Sequence, residues 1–276
     1  MASLNKDKAS SFSMNKVFKV GLIGCGHIAE TYFRGHQYFN NFKIIACADI
    51  NQKAADKCAK LYNIKSKTVN ELLKDKEIDA ILNLTIPQSH YSVSKRVLNS
   101  GKHVYSEKPL ATYFEKGKEL VALAKKKKLY IGNARDTFLG GGIQKARELS
   151  DSDLIGDIKL GNAIFAFPGV ESFHPKPESW YRKEGGPVID MGPYFFTTLV
   201  NLLGPAKQVQ GRTLTAFKKR IYGAGPKKSR SFKVETPTTY LATIQFHTGA
   251  IIQVTLSFDV VNHQRNHMEL YGTKGS

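Results

Sequence analysis

The chain has 276 residues, 41% of them hydrophobic, and carries 41 Lys and Arg against 23 Asp and Glu, a formal net charge of +18. That length holds two domains or one large one around a buried core. No run approaches the roughly 18 uninterrupted apolar residues of a membrane span, and no apolar signal core lies near the start, so the chain reads as a soluble globular protein of the cytoplasm, with no membrane partner.

The positive charge raises the question of nucleic acid, but it is dispersed. Its densest run, Lys125 to Lys128, closes a helix where cations complement the dipole. Lys218-Lys219-Arg220 and Lys227-Lys228 flank Gly223-Ala224-Gly225-Pro226 and read as an exposed loop. No nucleic-acid partner is expected. The three cysteines, Cys25, Cys47 and Cys58, show neither a disulfide framework nor metal-ligand spacing, which fits a reducing compartment and a site without metal.

Residues 1–15 read as a polar, disordered leader, with Met14 a candidate start. From Val17 an apolar, β-prone run leads into Gly24-Cys25-Gly26-His27-Ile28-Ala29, a G-x-G-x-x-A turn opening a helix. Gly24 permits the tight turn, Gly26 lets backbone approach a pyrophosphate without a Cβ in the way, and Ala29 allows close helix packing. A second apolar run, Phe42 to Ala48, ends at Asp49. A carboxylate at that distance accepts both ribose hydroxyls of an adenosine, or alternatively caps the helix Gln52 to Leu61. A weak piece around Lys65 to Thr68 and a helix over 69–76 follow. The strand Ile78 to Thr85, apolar enough to be buried on both faces, is followed by a helix Gln88 to Ser100, a strand His103 to Ser106, a helix Tyr113 to Lys127 and a strand Leu129 to Asn133. This βαβ series defines a dinucleotide-binding α/β Rossmann domain over 16–134.

The second part, 135–276, is different. A helix Leu139 to Leu149 and a strand Lys159 to Phe167 precede a long irregular loop, Pro168 to Glu184. A helix Tyr194 to Leu203 then gives way to strands Gln208 to Phe217, Thr239 to Phe246, Ala250 to Phe258 and Met268 to Tyr271. Consecutive strands without helices between them predict an α+β domain with a mixed or antiparallel sheet.

At the carboxyl end of the fifth strand stands Glu107-Lys108-Pro109, on the sheet edge where open α/β folds bind ligands. A lysine there serves as general acid or base, or else the pair is a surface ion pair closing a loop.

With these residues and Gly185-Gly186-Pro187-Val188-Ile189-Asp190-Met191-Gly192, the sequence resembles the glucose-fructose oxidoreductase and inositol dehydrogenase (Gfo/Idh/MocA) family from about Lys16 to its end. The resemblance implies an oxidoreductase using NAD, with NADP the alternative, to transfer hydride to or from hydroxyl and carbonyl groups of sugars, inositols and related polyols. It implies Lys108 as the catalytic lysine, Glu107 beside the nicotinamide ribose, and Asp190 orienting the substrate or sharing its proton. Gly24, Gly26, His27, Ile28 and Asp49 would bind the cofactor, Thr85, Pro87 and His90 would line it, and Trp180 and Arg182 would close over the nicotinamide.

One position departs from the pattern. Where many members carry histidine four residues after the aspartate, this chain has Tyr194, either a hydrogen-bond donor to the reacting oxygen or a packing residue beside Phe195 and Phe196. His174 is an alternative imidazole. The rival reading is a cofactor-binding regulator of the same fold that has lost turnover. Because Gly272 to Gly275 has hairpin composition with nothing after it, the sequence resembles a shortened form. A second-domain sheet with exposed apolar surface is therefore expected, available for a homo-oligomer, dimer or tetramer, and less stable than the first domain.

Overall fold

A computed structural model describes residues 17–134 and 137–276. The leader expected over 1–15 lies outside the described residues. The chain divides into two compact units. The first comprises residues up to Thr85 with Ser89–Glu107 and Tyr113–Gly132; the second comprises Ile86–Gln88, Lys108–Thr112 and Asn133–Ser276.

The first unit alternates strands and helices: β1 (Phe18–Ile23), α1 (Ala29–Gly35), β2 (Phe42–Ala48), α2 (Gln52–Tyr62), β3 (Lys65–Ser66), α3 (Val69–Lys74), β4 (Ala80–Asn83), α4 (Pro87–Asn99), β5 (His103–Ser106), α5 (Phe114–Lys127) and β6 (Ile131–Asn133). The strands form one sheet in the order 3-2-1-4-5-6, the doubly wound order, with β1 paired in parallel to both β2 and β4. Leu22, Ile81 and Leu82 are buried because both faces of a parallel sheet are covered by helices. Local signals set the helix ends. Asn51 caps α2 by accepting from the Lys53 N–H, Thr68 and Glu71 form a reciprocal capping box on α3, and Lys128 closes α5 in a left-handed conformation. The cap of α2 therefore falls to Asn51, and Asp49 has other partners. The third helix ends at Lys74, two residues before its expected end.

The second unit contains α6 (Gly141–Asp151), β7 (Ile158–Ala166), α7 (Glu178–Tyr181), α8 (Pro187–Asp190), α9 (Gly192–Leu203), β8 (Ala206–Leu214), β9 (Lys219–Ile221), β10 (Ser231–Lys233), β11 (Thr239–Phe246), β12 (Ile251–Ser257) and β13 (Met268–Gly272). Its main sheet runs 13-7-12-11-8. The β7–β12 pair is parallel and the other pairs are antiparallel, so the sheet is mixed. Phe195, Leu199, Leu202 and Leu203 of α9 pack on Ile244, Ile252, Val254 and Leu256 of its inner face.

Two stretches differ from expectation. Pro168 to Glu184 is more ordered than an irregular loop: it contains a 3-10 turn, Val170–Ser172, and α7, because the fully buried Tyr181 anchors it against Val170, Val234 and Phe258. The basic run at Lys218 is half of a two-stranded ribbon, β9 with β10, in which strand alternation turns Arg220 inward to 9% exposure. The outward face of the main sheet mixes Leu160, Leu241, Ile251 and Tyr271 with Asn162, Gln210, Gln253 and Glu269, so it is less apolar than expected.

Candidate active site

The turn after β1 is shaped by backbone demands. Gly24 sits at φ +104°, where its N–H donates to the Ala48 carbonyl at 2.9 Å and an added Cβ would lie 2.6 Å from the Leu84 carbonyl oxygen. Only glycine fits there. Gly26 is different. Its backbone lies outside the left-handed region, and a Cβ added to it would meet no heavy atom within 4 Å. Neither conformation nor packing demands glycine at 26, so the turn leaves open space in which a group such as a pyrophosphate could approach its backbone. His27 and Ile28 are exposed on this turn and Ala29 is buried beneath it.

Asp49, at the end of β2, ties the turn down. Its Oδ2 accepts the Cys25 N–H at 2.8 Å and its Oδ1 accepts the Asn51 N–H at 2.8 Å. The carboxylate is thus held in place at the carboxyl end of the strand, half-buried.

After β4 the chain is braced by a group that spacing did not reveal. The Asn83 amide donates to the His90 carbonyl and to Ser94 Oγ, both at 3.0 Å, while its oxygen accepts from the Thr85 hydroxyl at 2.7 Å. His90 is 1% exposed, with its Nε2 2.8 Å from the Thr85 carbonyl oxygen. It therefore holds the Thr85 turn from inside, and it does not present an open surface to a ligand. A polar Asn83 inside an otherwise apolar strand was the available signal. Pro87 opens α4 and is half-buried. Glu107 accepts from the Tyr32 hydroxyl at 2.9 Å, a partner contributed by α1 that the sequence reading missed.

In the second unit, Lys108 and Asp190 meet across 82 residues of chain. Lys108 Nζ donates to Asp190 Oδ1 at 2.8 Å and to the Asp190 carbonyl at 2.6 Å, and lies 5.0 Å from the centre of the Tyr194 ring. The two charged side chains are 15% and 22% exposed, so the pair is largely withdrawn from water. The Lys108–Pro109 peptide is cis. Asp190 is delivered by α8, whose entry at Gly186 has φ +91° and an N–H bonded to the Trp180 carbonyl at 2.7 Å. Gly185 is also required, because a Cβ there would lie 2.6 Å from the same carbonyl oxygen. Tyr194 lies in the first turn of α9 with its ring against both the Lys108 ammonium and the core.

Trp180 is half-buried and its ring centre lies 4.8 Å from that of His174, the two rings tilted at 58°, so this histidine packs within its loop. Arg182 is exposed at the end of α7. The structure thus brings together Lys108, Asp190 and Tyr194, and links Trp180 to the backbone that delivers Asp190.

Residues 18–134 match the family described as an oxidoreductase family with an NAD-binding Rossmann fold, and residues 143–276 match the GFO/IDH/MocA C-terminal domain. A dTDP-3,4-didehydro-2,6-dideoxy-alpha-D-glucose 3-reductase of Saccharopolyspora spinosa is 26% identical over 269 residues, covering 95% of this chain and 74% of that protein. The inositol 2-dehydrogenase of Rhizobium meliloti is 23% identical over 261 residues, covering 94% of this chain and 74% of the relative. Among solved structures, the WlbA dehydrogenase from Bordetella pertussis in complex with NADH and UDP-GlcNAcA superposes with a TM-score of 0.81 at 19% identity, over 94% of this chain and 72% of that one. Levoglucosan dehydrogenase, in complex with NADH and levoglucosan, gives 0.80 at 20%, with the same coverage. At these identities the structural likeness shows the fold.

Proposed function

The chain belongs to the GFO/IDH/MocA family of NAD-binding oxidoreductases, and from that premise we propose that it transfers hydride between NAD and a hydroxyl or carbonyl carbon of a sugar, inositol or related polyol, with Lys108 carrying the proton. The observation that supports this most directly is the Lys108–Asp190 pair, a general acid/base held by a carboxylate in a largely dry setting. Bound NAD supplies the hydride acceptor or donor. The chain's own residues position and protonate: Lys108 Nζ gives a proton to the substrate oxygen in reduction and takes it in oxidation, Asp190 holds that nitrogen, and the Tyr194 ring flanks it. Glu107, steadied by Tyr32, would hold the nicotinamide ribose when NAD is bound, and Trp180 and Arg182 are the residues proposed to cover the nicotinamide. The substrate class follows the relatives, whose names describe nucleotide-sugar and inositol enzymes.

Gly24, Gly26, His27 and Ile28 would hold the pyrophosphate, Asp49 would accept the adenosine ribose hydroxyls, and Thr85 and Pro87, with His90 buried behind Thr85, would line the cofactor. Asp49 repels a 2′-phosphate, so NAD is preferred over NADP, with Lys53 limiting the margin. Fluorescence titration of both cofactors checks this, and tighter NADP binding would overturn it. A panel of sugars and inositols with either cofactor, followed by absorbance of reduced nicotinamide, tests the activity. Turnover on at least one compound is expected, and NAD binding without turnover anywhere on the panel would favour the regulatory reading.

Among the described residues no helix is long and apolar enough to cross a membrane. Self-association is assigned to the outward face of the main sheet through Leu160, Leu241, Ile251 and Tyr271. A monomeric elution in size-exclusion chromatography with light scattering would remove that assignment.

A further inference from the structure

All three cysteines of the chain converge on one place, although they come from three separate pieces of it. Cys25 belongs to the turn after β1, Cys47 is the penultimate residue of β2, and Cys58 lies on the buried face of α2. Their Sγ atoms all lie within 4.8 Å of one another. None is in a disulfide; Cys47 is fully buried, Cys58 is 8% exposed and Cys25 is half-buried. The lining is otherwise apolar, with Leu22, Ala59 and Leu84 in the same cluster. Outside the trio, the Cys25 thiol points to the Ala48 carbonyl at 3.7 Å and that of Cys47 to the Ala55 carbonyl at 3.4 Å, both weak sulfur contacts.

A metal bound equally by three sulfurs at about 2.3 Å holds those sulfurs about 4.0 Å apart. The observed spacing therefore needs each pair to close by less than about 1 Å, within the reach of χ1 adjustments. Among the described residues no His, Asp or Glu joins this group as a fourth ligand, so the closed tetrahedron of a structural zinc is not built here. Three soft sulfurs and no hard oxygen select a thiophilic ion that accepts three-coordination. We propose that Cys25, Cys47 and Cys58 form a three-thiolate site for one such soft metal ion, with Cu(I) the best match.

A hydrogen bond from Cys25 brings Cys47 below the usual thiol range, the same contact pushes Cys25 upward, and burial raises Cys58 to about 11. Metal must displace the remaining protons, so its affinity rises with pH. Cys25 also stands between Gly24 and Gly26 and donates its N–H to Asp49. Drawing its sulfur onto a metal shifts this turn, and an occupied site therefore weakens NAD binding; this corollary rests on the dinucleotide reading, while the metal site itself does not.

The test is anaerobic titration of the reduced protein with Cu(I) against a chromophoric Cu(I) chelator. One Cu(I) per chain is expected, with Cys25→Ala and Cys58→Ala each losing more affinity than the roughly 10–100-fold that removal of an outer-shell partner costs. A second readout needs no variant: one equivalent of Cu(I) should protect Cys25, the half-buried member of the trio, from alkylation, read by mass spectrometry. Equal copper uptake by wild type and folded variants, unchanged alkylation, or stoichiometric uptake of Zn(II) in place of Cu(I) would each overturn the proposal. The corollary expects copper to weaken NAD binding within the 5- to about 150-fold range of ordinary site coupling. Unchanged NAD affinity in copper-loaded protein would remove the corollary and leave the site standing.

Discussion

In the first unit the turns after β1 and β4 are held by polar side chains over short chain distances. The Cys25 N–H reaches Asp49 across one βαβ unit, 24 residues on, and the Thr85 hydroxyl bonds Asn83 two residues away. In the second unit the decisive groups are charged side chains that meet across long stretches. Lys108 finds Asp190 82 residues on, and Arg220 finds Glu171 and Asp259 at separations of 49 and 39. The first arrangement does not admit an added Cβ at Gly24, and the second does not admit the loss of one charge.

The largest effect that sharpens this contrast is on chemistry. Lys108→Ala should lower turnover by roughly 10²- to 10⁴-fold, the usual contribution of a general acid or base, while NAD binding stays within about tenfold. Steady-state rates with fluorescence titration of NAD check it. Tyr194→Phe should cost less, because the ring that faces Lys108 remains; a larger loss from Tyr194→Phe would reverse the roles.

Next comes the buried charge of the second unit. Arg220 pairs with Glu171 at 2.7 Å and with Asp259, donates to the Pro168 and Phe258 carbonyls, and stands beside Tyr181, which donates to Glu171. Burial and that bond raise the Tyr181 hydroxyl above its usual range, keeping it a donor. Removing Arg220 leaves two buried carboxylates uncompensated, so Arg220→Met should cost about 3–5 kcal/mol. Urea denaturation measures it, with hydrogen exchange locating the loss on β9 and β10.

In the first unit the two glycines of the turn should part company. Gly24→Ala forces a side chain into a left-handed φ and against the Leu84 carbonyl, costing about 1–3 kcal/mol of stability. Gly26→Ala should leave stability within about 0.5 kcal/mol and weaken NAD about tenfold or more. Thermal melts and NAD titrations of the two variants separate the roles, and equal stability losses would place both glycines in packing.

The smallest effect is an acid dependence confined to the second unit. Burial opposes ionisation of Glu178, but hydrogen bonds from Lys227 and Tyr222 win and bring it down to about 2. A depressed carboxylate stabilises the fold above its ordinary value of 4.5, and that contribution drains away as pH falls from there toward about 2. Glu178→Gln should flatten the loss of stability across that window, measured by melts at a series of pH values; an unchanged slope would show the carboxylate has little influence.

Some of the site was legible because its signals are short-range. Gly24 and the Glu107-Lys108-Pro109 step stand where a strand ends, and strand ends are marked by the close of an apolar run. Arg220 was not legible, since three consecutive cations look like a solvated loop until pairing with β10 turns every second residue inward. Tyr32 was hidden for a related reason: nothing in α1 announces that its hydroxyl meets Glu107 of β5's end, 75 residues on.

The sequence by itself determined the order of strands and helices in the first unit and the place of its turn, because apolar periodicity and glycine stereochemistry act within a few residues. Only the tertiary structure decided which Asp49 oxygen meets which N–H, that Asn51 takes the helix cap, that His90 faces inward, and that Cys25, Cys47 and Cys58 share one pocket. Those outcomes depend on which residues of neighbouring elements come level when the sheet assembles. That register is set by packing across β1, β2 and α2 together and is written in none of them alone.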